Sequence, residues 1–274
     1  MTREWLRRAC TELTGARYGA AARAQAGVNR REGGAAQLEG DWRQATSGDA
    51  VDGGTIAVIP ARAGSERTPG KNARLMAGRP MVAWTLEAAL AARSLDRIVV
   101  STDDEAVAAT ATAMGLAPPF RRPAELSGPQ ASVVDAVEHA LQTVGGRWSL
   151  VVLLQPTSPL RLAEDIDGAV DLCRRTGAPA VLSTSPLAKP ATFHAIVESG
   201  GRLSPEPPSL DGVHLINGAV YVARPEALFS ARTFRLMGAH AFSMPVERGW
   251  DVDTPDEFAA CEAQLRLRAA GGPT

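Results

Sequence analysis

From about position 55 onward, short apolar runs alternate with longer segments whose apolar residues recur at helical spacing. Residues 56–59 are an Ile-Ala-Val-Ile run closed by Pro60, as expected of a strand buried on both faces of a parallel sheet. Residues 79–92 set Met81, Trp84, Thr85, Ala88 and Ala89 at helical spacing, which predicts a helix packed on that sheet. A second strand is predicted over 95–101, and helices over 105–114 (ended by Gly115) and 132–144. The strongly apolar 148–154 then reads as a strand broken by Gln155-Pro156-Thr157-Ser158-Pro159. Further helices are predicted over 163–176 and 259–267, with strands over 180–183 and 215–223. This rhythm predicts an α/β fold with a mainly parallel sheet, whose ligands bind at the carboxyl ends of the strands. Residues 186–210, rich in Pro, Ser and Gly, are expected to form a long excursion serving as a lid or interface arm.

Composition narrows the function classes. With 29 basic and 30 acidic residues the net charge is −1, so no global field draws nucleic acid or a membrane surface, and anion binding has to be local. Cys10, Cys173 and Cys261 lack C-x-x-C spacing, which points away from a zinc site or a disulfide framework and suits a reducing cytoplasm. Residues 1–52 are Ala-, Arg- and Gly-rich without sustained apolar periodicity after about Ala24. They contain no secretory h-region or membrane span, and Glu4 and Glu12 argue against a transit peptide. The expectation is a disordered extension over 1–52 and one catalytic domain over 53–270.

The chemistry starts where the first strand ends. Residues 61–72 mix Gly64, Gly70 and Pro69 with Arg62, Arg67 and Lys71, an outline that suits phosphate binding. Neither G-x-x-x-x-G-K nor G-x-G-x-x-G fits the stretch, so a P-loop ATPase or a dinucleotide-binding dehydrogenase is not indicated. Near the other end, Asp251 and Asp253 are one residue apart, so on extended backbone their carboxylates point the same way and can share a hard cation such as Mg²⁺. The plainer account makes them solvated acids ahead of a helix that opens through Thr254-Pro255-Asp256-Glu257.

The stretch IPARAGSERTPGKN, residues 59–72, resembles the signature of the CMP-sugar-acid synthetases, the acylneuraminate cytidylyltransferase-like enzymes. The resemblance continues through VVSTDDE (99–105), RPAEL (122–126), LLQPTSPLR (153–161), NGAVY (217–221) and DVDTPDEF (251–258). It implies a Rossmann-like three-layer nucleotidyltransferase fold with a small dimerisation or lid excursion. The implied activity is transfer of CMP from CTP to a keto-sugar acid, with Mg²⁺ as cofactor and release of pyrophosphate. The acceptor's anomeric hydroxyl would be the nucleophile, with metal-assisted deprotonation.

By the same resemblance Arg62, Lys71, Asp251 and Asp253 are the catalytic residues. Ala61, Arg62, Lys71, Asn72, Arg122 and Ser132 surround the nucleotide, and Gln155, Asn217, Tyr221 and Phe234 surround the sugar acid. Asp251 and Asp253 hold metal, with Asp103 contributing to a second site. A homodimer is implied, with the excursion reaching the partner's site. The chain departs from the family pattern at 209–216, where no Arg precedes Asn217, leaving His214, Lys189 or Arg202 to meet the acceptor's carboxylate. Glu66 stands where the family often has Lys, with Arg67 able to replace that charge. Two other readings stay open: CMP transfer to a small phosphonate or other acid, and a non-catalytic CTP-binding protein.

Overall fold

The computed structural model describes residues 53–64, 70–128, 130–187, 189, 194–197, 199–204, 206 and 208–271. The expected extension over 1–52 lies outside the described residues, as do Glu66 and Arg67. A six-stranded sheet carries the fold: β1 (Gly54–Ala61), β4 (Arg97–Thr102), β5 (Trp148–Leu153), β6 (Ala180–Pro186), β7 (His214–Ala223) and β8 (His240–Ser243), in the order β4-β1-β5-β7-β6-β8. β2 (Leu75–Met76) and β3 (Arg79–Pro80) form a separate two-residue ladder. The helices are α1 (Met81–Ala91), α2 (Glu105–Ala113), α3 (Val133–Val144), α4 (Ala163–Thr176), α5 (Pro225–Ala231) and α6 (Pro255–Ala269). The sheet is mainly parallel as expected, with β7 alone running antiparallel to its neighbours β5 and β6.

The alternation within β1 builds two cores. Ala57, Ile59 and Ala61 face Val82 and Leu86 of α1, Val107 of α2 and Ile166 of α4. Ile56 and Val58 face Val134 and Val137 of α3 and Leu228 of α5. Helices therefore cover both faces, giving the three-layer α/β architecture. A third cluster seats Phe258, Cys261 and Leu265 of α6 against Met76, Met81, Leu160 and Val252.

β1 continues through Pro60, where the sequence suggested an end. The Val58 carbonyl accepts from Leu154 N on the β5 side, and groups two residues along a strand face the same way. Position 60 therefore looks toward β5 beyond the last paired residues, Val58 and Leu153, so its missing N–H costs no ladder bond. Apolar periodicity missed the two-residue strands β2 and β3 as well as α5 and β8. Seven residues opened by a proline and four residues of the edge sequence His-Ala-Phe-Ser are too brief to show a period.

Candidate active site

Segments distant in sequence meet beyond the carboxyl ends of β1, β4 and β5 around a cleft of ≈ 410 Å³, within the roughly 300–1,000 Å³ of small-molecule sites. One wall is cationic. Arg62, the residue after β1, lines it and donates from Nη1 to the Gly128 carbonyl. Asn72 Nδ2 donates to the Arg62 carbonyl at 3.1 Å, joining the two ends of the glycine-containing loop, while its Oδ1 is buried without a partner. Arg122 is anchored from β4: its N–H bonds the Thr102 carbonyl at 2.9 Å and its Nε donates to Ser101 Oγ at 3.0 Å. Burial pushes its guanidinium down to about 10, with Asp103 opposing and Arg62 adding to the shift. It stays charged at neutral pH, and its buried Nη2 has no partner; a cationic donor left open in a cleft is a place for an anion or a carbonyl. Ser132 caps α3 by accepting from Val134 N at 3.1 Å. Ser132 and Val133 line the cleft, so the positive end of the helix dipole adds to this wall.

The facing wall is acidic and is fastened to the first by Lys71. Its Nζ donates to the Val252 carbonyl at 2.7 Å and to Asp253 Oδ1 at 3.2 Å, and Val252 N bonds the Thr157 carbonyl at 2.7 Å. Thr254 and Glu257 form a capping box for α6, with Pro255 in its first turn. The helix-heading account of this segment therefore holds for Thr254 and Glu257, while Asp251 and Asp253 precede the helix and line the cleft. Burial raises the Asp251 carboxyl; the Thr157 hydroxyl lowers it, Asp253 raises it, Lys71 lowers it and Glu257 raises it. Asp251 Oδ1 is buried without a partner. An unfilled carboxylate oxygen beside a second carboxylate fits a hard divalent cation that completes its shell with water and phosphate oxygens. Among the described residues no further His, Cys, Asp or Glu joins the pair to make a group of metal ligands.

The residues expected around an acceptor divide. Gln155 lines the cleft beside Pro156 and Thr157, whereas Asn217, Tyr221 and Phe234 are not among its lining residues. Phe234 is the clearest correction: at 5% exposure it belongs to the core beneath α3, packed on Tyr221 with ring centroids 5.5 Å apart. Burial raises the Tyr221 phenol, the Asp251 charge raises it further and Arg235 opposes. Asp103 Oδ1 accepts from Ala63 N at 2.9 Å, so it braces the loop after β1, and it too lies outside the cleft lining. Lys189, Arg202 and His214 are all exposed, His214 Nδ1 lying 3.3 Å from Thr184 Oγ1.

Sequence reasoning missed Arg161, Thr157 and Gly249. Arg161 is 2% exposed, and its Nη2 donates to Thr85 Oγ1 (3.2 Å), to the Ser158 carbonyl (2.9 Å) and to the Gln155 carbonyl. It thereby holds the turn that carries Gln155. Burial lowers its guanidinium to about 9, with Asp165 and Asp251 opposing. A lone Arg after a turn ordinarily reads as exposed; its place at the end of LLQPTSPLR was the available signal.

Residues 56–199 match the family model described as Cytidylyltransferase. The CMP-N,N'-diacetyllegionaminic acid synthase of Legionella pneumophila is 34% identical over 224 residues, covering 77% of this chain and 96% of that one. An N-acylneuraminate cytidylyltransferase of Streptococcus agalactiae is 32% identical over 74% of this chain, which spans 51% of that protein. Among solved structures, a CMP:2-keto-3-deoxy-manno-octonic acid synthetase complexed with CTP superposes with a TM-score of 0.60 at 20% identity, covering 78% of this chain and 99% of that one. The 4-diphosphocytidyl-2C-methyl-D-erythritol synthase of Anaerococcus prevotii gives 0.58 at 13% identity and 78% coverage of this chain; at these identities both speak for the fold alone. With more than half of its length matched by the family model and a 34% identical relative covered almost end to end, the chain belongs to the cytidylyltransferase family, alongside the CMP-sugar-acid synthetases.

Proposed function

We propose that the protein transfers CMP from CTP to a nine-carbon keto-sugar acid of the di-N-acetylated kind. The observation that carries this reading is the cleft itself, in which Arg62, Lys71 and Arg122 stand across from Asp251 and Asp253. Three cations and the α3 N-terminus offset a triphosphate. Asp251 and Asp253 would hold Mg²⁺, whose chemistry when bound is to neutralise charge on the α-phosphate and the departing pyrophosphate. The acceptor hydroxyl oxygen bonds to the α-phosphorus and gives up its proton to solvent water, as the bond from that phosphorus to the pyrophosphate oxygen breaks. Lys71 keeps the phosphate-binding and carboxylate walls in register during that displacement.

The acceptor class rests on two supports. The Legionella relative is named for N,N'-diacetyllegionaminic acid, and no Arg stands in 209–216 to grip a sialic-acid carboxylate. Measuring kcat/KM for CTP-dependent pyrophosphate release across a panel decides it. A di-N-acetylated nonulosonic acid should exceed N-acetylneuraminate by about tenfold or more, the value of one charge-assisted contact at its low end. Equal or better use of N-acetylneuraminate would refute this choice of acceptor.

Assembly belongs to the same reading. Ile196, Val197, Leu203, Val213, Leu215 and Ile216 are exposed on and beside the excursion. Val197 pairs antiparallel with Leu203 within the excursion, so these apolar side chains offer a surface suited to a second copy. A homodimer built there brings the excursion to the neighbouring cleft. Cys173 and Cys261 are buried thiols, compatible with a cytoplasmic setting, and no helix among the described residues is long and apolar enough to cross a membrane.

A further inference from the structure

Between the pairs Leu182–Tyr221 and Thr184–Ile216, the single residue Ser183 of β6 faces the stretch 217–220 of β7. A bulge of this kind lets a strand leave the ladder and re-aim what it carries. Side chains close it here. Ser183 Oγ donates to Asn217 Oδ1 at 2.6 Å and accepts from Val220 N at 2.8 Å. Asn217 Oδ1 also takes the Ala219 N–H at 3.2 Å, while Nδ2 donates to Ser185 Oγ at 2.9 Å and to Met244 Sδ at 3.7 Å. An asparagine amide has two donor hydrogens and two acceptor lone pairs, and all are engaged. At 6% exposure, Asn217 has nothing left to offer a ligand.

The bulge reaches the cleft through two glycines. A Cβ on Gly249, two residues before Asp251, would lie 2.3 Å from Ser185 Oγ and 2.6 Å from Asn217 Nδ2, so the backbone that leads into Asp251 rests directly on this network. Gly218, at φ +76°, follows Asn217; a Cβ there would lie 3.6 Å from Gln155 Oε1 and 3.9 Å from Asp251 Cγ. The left-handed backbone that the bulge requires thus sits against both the acidic wall and the glutamine.

We propose that Asn217 is a positioning residue for Asp251: by closing the β7 bulge and seating Gly249 it presents the Asp251 carboxylate to the cleft, and it does not touch the acceptor. The inference rests on the metal-binding role given to Asp251 above. Residues behind a metal ligand cost about 10- to 100-fold in metal affinity or activity when removed, and Ser185 separates the two possible roles of Asn217, because it touches the network but has no place in an acceptor contact.

The test compares the full chain with Asn217→Ala and Ser185→Ala. Steady-state kinetics are read together with Mn²⁺ binding by electron paramagnetic resonance in the presence of CTP, and with thermal melting. Both variants should lower kcat by about tenfold or more and weaken Mn²⁺ binding in parallel, with the acceptor KM held within about twofold. A raised acceptor KM in Asn217→Ala at unchanged kcat and Mn²⁺ binding, with Ser185→Ala silent, overturns the proposal in favour of direct contact. Lower melting temperatures with kinetics and Mn²⁺ binding unmoved overturn it in favour of a purely structural network. Should Asn217→Ala not fold, Ser185→Ala decides by the same readouts. A wild-type chain releasing no pyrophosphate with any acceptor refutes the functional reading instead, and Mn²⁺ binding across the three proteins still judges the positioning claim.

Discussion

Replacing Lys71 by Met keeps most of the side-chain stem and removes only the ammonium group, which tests the tie between the walls of the cleft. Lys71 is 9% exposed, and its Nζ serves the Val252 carbonyl at 2.7 Å and Asp253 at 3.2 Å. The Asp253 side chain is 40% exposed, so solvent screens that ion pair and it contributes under about 1 kcal/mol. The Val252 bond counts for more, because a hydrogen bond from a charged donor is worth about 1.5–3 kcal/mol and its loss leaves a carbonyl unpaired. For a domain of this size that corresponds to a fall in Tm of very roughly 3–12 °C. A second loss is separate: if the ammonium also meets the triphosphate, kcat/KM for CTP falls about 10- to 150-fold. Differential scanning calorimetry and a coupled pyrophosphate assay read the two effects independently. An unchanged Tm refutes the inter-wall tie, and a kcat/KM for CTP within about twofold of wild type refutes the phosphate role.

Asp253→Ala should abolish most pyrophosphate release, and EDTA should do the same to the wild type; turnover that survives both would remove the metal from the reaction. Gly249→Ala should lower stability by about 1–3 kcal/mol through overpacking against Ser185 and Asn217, and a melt matching wild type would show that the contact yields freely. For Asp167, burial pushes the carboxyl up, but the Ser94 and Arg93 N–H groups, each donating to it at 2.9 Å, and the Arg93 charge hold it below its ordinary 3.8. Its stabilising contribution is therefore full above that value and lost as the pH falls through the lower folded pKa. Asp167→Asn should be less stable at pH 7, with the difference in Tm shrinking below about pH 4; a constant difference would contradict the assignment. Light scattering of the full chain at micromolar concentration should read twice its 28.7 kDa, and a monomer would exclude the proposed dimer.

Much of the fold was legible because β1, β5 and α3 announce themselves locally, by apolar runs and by a helical stripe with a serine cap. The cationic loop and the Asp251–Asp253 pair were legible for the same reason, since each is a short segment whose residue types state its chemistry. What could not be read depends on register. Asn217 looks like a ligand-binding polar residue until the shift in β6–β7 pairing places Ser183 and Ser185 at the two ends of its amide. Phe234 follows a helix too short to recognise, so nothing in the sequence shows that it turns into the core. Arg161 drew no reading of its own beyond its place in LLQPTSPLR, because the carbonyls that accept from it belong to a turn whose shape no periodicity encodes.

The pairing of Pro186 with His214 at the end of the β6–β7 ladder has a consequence for how such an enzyme can diversify. The chain leaves the sheet and returns to it at neighbouring positions, so everything between is inserted at one doorway. Closing a longer insert costs only about 0.6 kcal/mol for each doubling of its length. Neither Arg62, Lys71 nor the Asp251 segment lies within it, and the flanking residues Ser185 and Asn217, on which Gly249 rests, stay outside the insert. Under the assembly proposed above, in which the excursion reaches the neighbouring cleft, exchanging the single insert between Pro186 and His214 should shift acceptor preference while leaving Arg62, Lys71 and the Asp251 segment in place.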